Sequence, residues 1–386
     1  MTRVALYLPF PKGMTGAPRR TIALAEALRR QHLHVGIFGN PQTPFVQEAE
    51  KRGFEIVRFE DTRDLEVPYS SVRSFSALQL VKYLGSIARN NIEFARRARA
   101  WKADKIWIRS LRGFAFSGLG ARLAGCPVTL DLDYEPAGRG LMAALSFLSL
   151  SLSRQVVLQY GAAAREIFGS RLTRTFDKRL YPLIPGIEIE TIEKRAVPSS
   201  TRSDEKVIIV QVGSISRRKN QLFSLEVFSE AVNNLKGVEA EIHFIGDIHD
   251  LPYKEKMLLF ARDQKIESHV RFLGWRENSL GLVVNSDVML MPSYNEGVPN
   301  AVQEAMLLGV PVVASTAGGL PEILDNGRTG WSVDLSEKDV WAQVLQKLIE
   351  DAALRSAVGA AATAFARDHF SMDEWGVKYS AFFKSS

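Results

Sequence analysis

Short apolar runs alternate with longer amphipathic segments along the chain. In the first half, apolar runs lie at 4–8, 34–38, 54–59, 105–109 and 127–132, and most of the segments between them have helical spacing. Runs of this length, bounded by polar residues, glycine or proline, are typical of buried strands. Strands that alternate with helices predict a parallel, doubly wound sheet.

The same alternation begins again after residue 206. The proline-bearing stretch YPLIPGIEIE (181–190) and the polar stretch VPSSTRSDEK (197–206) separate the two halves. We therefore predict two α/β domains, residues 1–190 and residues 204–370. Strands of the second domain are predicted at 206–213, 240–246, 270–274, 288–291 and 311–315. Helices are predicted near the C-terminus at 336–350, 352–368 and 371–384.

Two apolar segments of the first half need separate interpretation. A helix over residues 75–101 has an apolar side and a basic end. The apolar stretch 141–153 is shorter than the ~18–20 residues that a membrane span needs, so we favour a buried or amphipathic helix over membrane contact. The apolar side of the first helix comprises Leu78, Leu80, Val81, Leu84, Ile87 and Ile92, and its basic end comprises Arg89, Arg96, Arg97, Arg99 and Lys102.

The stretch PSYNEGVPNAVQEAMLLGVPVVASTAGGLPE (292–322) carries the strongest candidate chemistry. Glu296 lies in a loop after a predicted strand, and Glu304 lies inside the helix predicted to begin at Pro299 or Asn300. Amide groups at the start of that helix offer an anion site. The glutamates more readily accept hydrogen bonds from uncharged hydroxyls. A phosphate seat beside two hydroxyl acceptors suits a nucleotide-sugar, and the predicted donor-binding residues around that seat are Val298, Pro299, Asn300, Ala301 and Val302.

Glu296 and Glu304, with the flanking EGVPN, EAM, GVPVVAS and GGLPEI, resemble the donor-site signature of retaining glycosyltransferases of family 4. The resemblance covers about residues 206–332. It implies the GT-B fold, with two Rossmann-like domains facing across a cleft and a C-terminal helix, residues 371–386, that crosses back to the acceptor-binding N-terminal domain. It also implies a metal-independent hexosyltransferase without a cofactor. Glu304 would hold ribose hydroxyls and Glu296 sugar hydroxyls.

The segment VGSISRRKN (212–220) places cations after a predicted strand that turns at Gly213. Cations at such a position can stabilise a diphosphate leaving group. By resemblance, Lys219 matches the family's lysine, whereas Ser214 stands where the family usually has arginine. Either Arg218 or Arg217 then supplies the second cation. We see no obvious general base, which fits the same-face mechanism usually proposed for the family.

Three further positions follow from the same resemblance. Asp247, in IGD (245–247), would line the nucleotide base site. Gly13 and Gly16 lie in a loop that would close over the donor phosphate and the acceptor, and a tight turn is the plainer interpretation. Asp131 stands at a strand end where the family commonly has histidine.

Asp131 and Asp133 also form a DxD sequence, whose two carboxylates can share a divalent cation. The predicted two-domain layout with its Lys and Arg clamp argues against a metal there. The histidines, including His32 and His34, show no metal-ligand spacing. We therefore predict no metal site.

The charge distribution and the cysteine content of the 386-residue chain indicate its kind of partner and its redox environment. Residues 1–190 carry 28 Lys and Arg against 17 Asp and Glu, a net charge of +11, whereas the remainder has −5. This asymmetry suggests an anionic partner, either a membrane surface, a phosphorylated acceptor or nucleic acid; ordinary solvated helix faces are the alternative. The single cysteine, Cys126, excludes internal disulfides and fits a reducing cytoplasm.

We expect a cytoplasmic, peripheral membrane enzyme of cell-surface polysaccharide or glycolipid assembly. Its partners would be a nucleotide-sugar, a sugar or lipid-linked saccharide acceptor, and an anionic membrane surface, but no nucleic acid. Two alternatives stay open: another GT-B enzyme, such as a phosphorylase or epimerase, and a non-catalytic nucleotide-sugar-binding subunit.

Overall fold

A computed structural model describes residues 1–11, 13–14, 16–67, 72, 74–133, 141–198, 206–233, 235 and 238–384. Most of the predicted linker, at 199–205, lies outside the described residues. The chain divides into two compact units: residues 1–186 with 372–386 form the first, and residues 187–371 the second.

The first unit is built on a seven-stranded sheet in which all neighbouring strands are parallel, in the order β3-β2-β1-β4-β5-β6-β7. Its strands are β1 (Arg3–Tyr7), β2 (His34–Gly39), β3 (Glu55–Arg58), β4 (Lys105–Arg109), β5 (Val128–Leu132), β6 (Gln155–Leu158) and β7 (Leu180–Pro182). Its helices are α1 (Gly16–Arg30), α2 (Pro44–Lys51), α3 (Ala77–Ala100), α4 (Ser110–Leu123), α5 (Leu141–Leu152), α6 (Ala163–Phe176) and, from the end of the chain, α15 (Met372–Lys384).

The second unit has a six-stranded parallel sheet in the order β10-β9-β8-β11-β12-β13. Its strands are β8 (Lys206–Val212), β9 (Glu239–Ile245), β10 (Val270–Gly274), β11 (Val288–Met291), β12 (Val312–Ser315) and β13 (Trp331–Val333). Its helices are α7 (Ile189–Arg195), α8 (Gln221–Asn233), α9 (Leu251–Asp263), α10 (Leu280–Val283), α11 (Asn300–Leu307), α12 (Leu320–Ile323), α13 (Lys338–Glu350) and α14 (Ala352–His369). The predicted doubly wound α/β architecture is confirmed.

The helix α15 packs within the first unit, as the resemblance implied. Trp375, Tyr379 and Phe383 are buried in the same apolar cluster as residues of α1 and β1. Gly376 lies so close to α1 that a Cβ there would be 2.7 Å from Ala27 Cβ. The close approach of the two helices therefore depends on a residue without a side chain.

The apolar side of α3 differs from what its sequence suggests. Leu78 and Val81 are each 66% exposed, and Leu84 is 51% exposed. The buried side of the helix instead contains Tyr83, Ser86, Asn90, Asn91, Phe94, Ala95 and Ala98. Asn90 and Asn91 donate hydrogen bonds to the carbonyl oxygens of Phe116 and Ala115, so polar residues can face α4 without losing their partners.

The helix α5 resembles α3 in this respect. Its sequence is mostly apolar, yet Phe147 is 52% and Leu148 38% exposed, whereas Ser149 and Leu150 are buried. Within the described residues, no helix combines the length and the apolar character that crossing a bilayer requires.

Candidate functional site

The candidate site lies where the strand order of the second sheet reverses. β8 and β11 are neighbours, with Val288 opposite Ile209, and the strands that follow them lie on opposite sides of this pair. At such a point the loops after the two strands diverge and open a crevice at their carboxyl ends. Residues 213–219 follow β8 and residues 292–302 follow β11, so the fold brings the two predicted donor-binding segments together.

Glycines allow the loop after β8 to pack closely. Gly213 has a φ of 145°, and Gly246, which follows β9, has a φ of 150°. A Cβ at Gly246 would lie 2.3 Å from the Gly213 carbonyl oxygen, and a Cβ at Gly213 would lie 3.1 Å from Lys219 Cε. A larger residue at Gly246 would therefore displace the backbone at Gly213, whereas one at Gly213 would press on the end of the Lys219 side chain.

Lys219 and Arg218 both contact Glu296. Lys219 Nζ donates a hydrogen bond to Glu296 Oε1 at 2.6 Å, and Arg218 Nη1 reaches the same oxygen at 3.1 Å. The side chains of Lys219 and Glu296 are 12% and 10% exposed, whereas that of Arg218 is 51% exposed. Two cations share one carboxylate, so this Lys219–Arg218–Glu296 cluster has one positive charge in excess, which favours an anion.

Backbone contacts fix the position of the cluster. Gln211 Nε2 donates to the Lys219 carbonyl oxygen at 2.8 Å, and the Tyr294 amide donates to the Arg218 carbonyl oxygen at 3.0 Å. Arg218 Nη1 also reaches the Asn295 carbonyl oxygen at 2.9 Å. The two loops are therefore joined by their main chains as well as by the charged side chains.

Arg217 does not join the cluster. Its Nε lies 3.3 Å from Asp250 Oδ2, and its side chain is 76% exposed. Ser214, where the family usually has arginine, offers its carbonyl oxygen to Gln221 Nε2 at 2.9 Å. Of the two arginines that the sequence left open, Arg218 is therefore the one beside Glu296.

The glycine turn after β12 supports the loop that carries Glu296. Gly318 has a φ of 59°, and a Cβ there would lie 1.9 Å from the Glu296 carbonyl oxygen. The Gly319 amide donates to the Gly297 carbonyl oxygen at 2.9 Å. The segments EGVPN and GGLPEI are therefore in direct backbone contact.

The helix α11 begins at Asn300, as predicted, with Pro299 as its N-cap in an extended conformation. The Val302 amide donates to the Pro299 carbonyl oxygen at 3.1 Å, and the Val302 side chain is buried. That hydrogen bond engages the amide of Val302, one of the residues predicted to form the phosphate seat. Val298, in the preceding loop, is also buried. Glu304 lies one turn after Asn300 in the helix and is half-buried.

The remaining second-unit position, Asp247, is exposed at the end of β9, next to β8. Its carbonyl oxygen accepts a hydrogen bond from the Ile215 amide at 2.8 Å, which joins its loop to the loop after β8. Asp247 therefore lies at the same edge of the sheet as the cluster. In the first unit, Gly13 has a φ of 60° and Gly16 begins α1, and both are exposed; Lys12 and Thr15 of the same loop lie outside the described residues.

Asp131 and Asp133 are bound by arginine side chains inside the first unit. Arg109 Nη1 lies 3.2 Å from Asp131 Oδ1, and Arg109 Nε lies 3.0 Å from Asp133 Oδ2. The Tyr379 hydroxyl donates to Asp131, and Arg20 Nη1 is 4.0 Å from Asp133. Arg109 is thus the cation that the two carboxylates share. Within the described residues, no group of three or more His, Cys, Asp or Glu side chains is placed to hold a metal ion.

Burial governs the ionisation of these groups. It raises the pKa of Asp131 and of Tyr379 above their usual values. Burial also opposes the charge of Asp133, but Arg109 and Arg20 hold the pKa of Asp133 below its ordinary value. Burial lowers the pKa of Arg20 to about 10. No local pattern in the sequence points to Arg20 or Tyr379, because both are far from Asp131 along the chain. Arg109 lies at the end of the neighbouring strand and could have been considered.

Residues 193–365 match the family described as Glycosyl transferases group 1. A D-inositol 3-phosphate glycosyltransferase of Corynebacterium jeikeium (strain K411) is 29% identical over 233 residues, which cover 54% of this chain and 55% of that protein. A UDP-Gal:alpha-D-GlcNAc-diphosphoundecaprenol alpha-1,3-galactosyltransferase of Escherichia coli is 26% identical over 150 residues, 38% of each chain. This chain spans about half the length, or less, of such curated relatives.

Solved structures agree over the whole chain. Anabaena Alr3699/HepE in complex with UDP has a TM-score of 0.77 at 17% identity, with full coverage of both chains. The same protein with UDP and glucose has a TM-score of 0.75 at 16% identity, again with full coverage. These similarities show that the chain has the GT-B fold.

Proposed function

We propose that this chain, whose residues 193–365 match the group 1 glycosyl transferases, transfers a sugar from a nucleoside diphosphate-sugar to an acceptor hydroxyl. The observation that carries the proposal is the Lys219–Arg218–Glu296 cluster at the strand-order reversal. It supplies two cations and one carboxylate at the edge of the sheet where ligands bind. A nucleoside diphosphate-sugar presents a diphosphate for the cations and hydroxyls for the carboxylate.

The cluster would act when the bond between the anomeric carbon and the diphosphate oxygen breaks. Negative charge then grows on the leaving diphosphate, where Lys219 and Arg218 stabilise it. Glu296 accepts hydrogen bonds from sugar hydroxyls and offsets the positive charge that develops at the ring. The configuration is retained if the acceptor oxygen attacks from the face that the diphosphate leaves and the departing phosphate oxygen takes its proton. No metal ion or other cofactor is needed for these steps.

Donor recognition would involve Glu304, which we assign to the ribose hydroxyls, with Asn300 and Ala301 at the phosphates. Asp247 lies at the same sheet edge and would border the base. The structurally similar Anabaena protein was solved with UDP-glucose, so uridine diphosphate sugars are the first donors to test.

The acceptor would be a sugar or a lipid-linked saccharide in cell-surface polysaccharide or glycolipid assembly. The name of the Escherichia coli relative specifies a diphosphoundecaprenol-linked acceptor. The net charge of +11 over residues 1–190 also favours an anionic partner, including a membrane surface that carries such acceptors. We therefore propose peripheral attachment to the inner face of the membrane.

Nucleotide release tests the proposal directly. Purified protein would be incubated with several nucleoside diphosphate-sugars, with and without sugar or polyprenyl diphosphate-sugar acceptors, and free nucleoside diphosphate would be measured. We expect acceptor-dependent release with one class of donor. Binding without turnover across the panel would instead favour a non-catalytic binding subunit. A product formed only with inorganic phosphate, or an epimerised donor, would indicate one of the other GT-B chemistries.

A further inference from the structure

Exposed apolar side chains are concentrated on three helices of the first unit. Of the 20 large apolar side chains that are exposed in the described part of the chain, nine belong to α3, α4 and α5. Scattered apolar residues are normal on a surface, whereas a group of neighbouring ones marks an interaction site. The members that carry the argument are Leu78, Val81 and Leu84 of α3, Leu119 of α4, and Phe147 and Leu148 of α5; we call them the α3–α5 surface.

A cavity of about 190 Å³ opens within this surface. Leu84 and Ile87 of α3, Ala115 and Leu119 of α4, and Leu145 and Leu148 of α5 line it, together with further apolar and aromatic residues. A dry apolar cavity of roughly this size, about 150 Å³, is known to accept a hydrocarbon the size of benzene. The cavity therefore has room for a short length of hydrocarbon chain.

The same three helices are strongly basic. Their sequences contain seven Lys and Arg residues and one acidic residue, Glu93. Glu93 lies towards the far end of α3, where Arg96 and Arg97 bind it at 3.0 Å and 2.7 Å. Exposed Lys82 follows Val81, and exposed Arg122 lies one turn beyond Leu119, so positive charge adjoins the apolar side chains.

We propose that the α3–α5 surface docks on an anionic lipid bilayer, with its apolar side chains among the acyl chains and one chain end entering the cavity. Helices that lie in a membrane interface combine an apolar face with basic flanks in this way. Basic residues near an anionic surface add electrostatic attraction, which salt screens. A purely apolar protein partner would explain the leucines but not the basic flanks.

The cavity lies near the place where the proposed function needs an acceptor. The biological purpose of docking therefore rests on that proposed function. Ala115 is followed by Phe116, whose ring packs edge-on against Phe10 at a centroid distance of 5.9 Å. Phe10 lies three residues after β1, at the carboxyl end of the first sheet, where ligands bind in such sheets. A lipid chain in the cavity would thus lie near the end of the first unit where an acceptor is expected.

Vesicle flotation tests docking without donor or turnover. Full-length protein would be floated with vesicles of phosphatidylcholine alone and of phosphatidylcholine mixed with phosphatidylglycerol, at low and high salt. We expect binding only to the mixed vesicles, reduced by salt. Leu78→Ser, Val81→Ser and Phe147→Ser combined should weaken that binding by about tenfold or more, because less apolar area enters the bilayer. The control variant changes similarly exposed residues elsewhere and combines Leu259→Ser, Val340→Ser and Val377→Ser. It should bind vesicles as the unmodified chain does.

A fluorescent label reports whether the surface enters the acyl region. Cys126 is only 3% exposed, so a bimane label would react selectively with Leu84→Cys or, as the control, Val377→Cys. Lipids brominated along their chains should quench the label at Leu84→Cys and not the label at Val377→Cys. Equal quenching at both positions would overturn the proposal.

Three other outcomes would also overturn the proposal. The first is no binding to anionic vesicles at low salt, and the second is unchanged binding by the variant with serine at positions 78, 81 and 147. The third is that the α3–α5 surface binds a second copy of the chain. Sedimentation velocity would detect the last case as a dimer that this variant abolishes. Nucleotide release is measured without vesicles, so failure of the proposed enzymatic function and failure of docking are separate results.

Discussion

Lys219 Nζ lies 2.6 Å from Glu296 Oε1, although the two residues are 77 positions apart in the sequence. One follows β8 and the other follows β11, the pair of strands at which the second sheet reverses its order. The contact joins a predicted phosphate-binding cation to a predicted sugar-binding carboxylate. Donor binding would require Lys219 to share its charge between Glu296 and the diphosphate, and the predictions on this site follow from that competition.

Lys219→Ala should reduce turnover by ~10²–10³-fold, the scale expected when one charge-stabilising group is lost at a leaving group. Steady-state nucleotide release with the best donor measures the effect. Lys256→Ala, an exposed position on α9, is the matched control and should leave the rate unchanged. A Lys219→Ala rate within threefold of the unmodified rate would contradict the assignment.

Glu296→Gln should separate binding from turnover. Without the carboxylate, Lys219 and Arg218 lose the group that now competes for their charge, so affinity for nucleoside diphosphate should rise. Turnover should fall, because the neutral amide cannot offset positive charge on the sugar ring. Calorimetric titration with nucleoside diphosphate, together with kcat, tests both parts. Weaker diphosphate binding in this variant would show that the carboxylate does not compete for the cations.

Arg218→Ala should reduce turnover by about tenfold or more, whereas Arg217→Ala should have little effect. Arg218 contacts Glu296, but Arg217 points to Asp250 and is largely exposed, where an ion pair is worth only ~0–1 kcal/mol. The two variants differ by one chain position and serve as each other's control. The reverse order of effects would assign the second cation to Arg217.

A chelator should leave turnover unchanged, because Lys219 and Arg218 would balance the diphosphate charge and arginines hold Asp131 and Asp133. Activity after treatment with excess chelator, followed by dialysis and addition of Mg²⁺ or Mn²⁺, is the measurement. Loss of activity that manganese restores would place the chemistry on a metal ion.

Arg109→Met should destabilise the first unit by ~3–5 kcal/mol, because it removes the main cation from the buried Asp131 and the partly exposed Asp133. Urea unfolding of the full chain, followed by tryptophan fluorescence, measures the change. Arg30→Met is the control. Arg30 binds Asp373 at 2.6 Å on the surface, where α1 meets α15. Loss of this exposed ion pair should lower the free energy of unfolding by only ~0–1 kcal/mol. Equal costs for the two variants would show that the buried pairs contribute no more than the exposed one.

The sequence predicted the alternating architecture because strands and helices depend on local signals. The strand 288–291 is a continuous apolar run and the strand 105–109 has an apolar centre, and the predicted bounds of both agree with the structure. β7 and β13 are each three residues long, too short for a periodic pattern to identify them. The exposure of the α3 leucines could not be predicted either, since Asn90 and Asn91 become suitable for burial only when α4 supplies their carbonyl partners.

In the candidate site, too, local features could be predicted from the sequence and long-range contacts could not. The sequence predicted Lys219 and Glu296 as partners in one site, and the structure brings them into contact; the sequence left Arg217 and Arg218 unresolved, because neighbouring residues on a short turn point in different directions. The Asp131 cluster depends on Tyr379, which lies 248 positions away, and no local pattern can reveal such a partner. Long-range side-chain contacts were therefore beyond the reach of sequence analysis, whereas the elements that carry them were not.

The placement of α15 in the first unit has a consequence for the order in which the protein can fold during synthesis. The second unit is one continuous stretch, residues 187–371, and can complete its core as soon as that stretch has left the ribosome. The first unit, although made earlier, still lacks Trp375, Tyr379 and Phe383 at that moment, and Asp131 still lacks its tyrosine. The half that is synthesised first is thus the half that is completed last, and premature termination just before α15 would damage the first unit rather than the second.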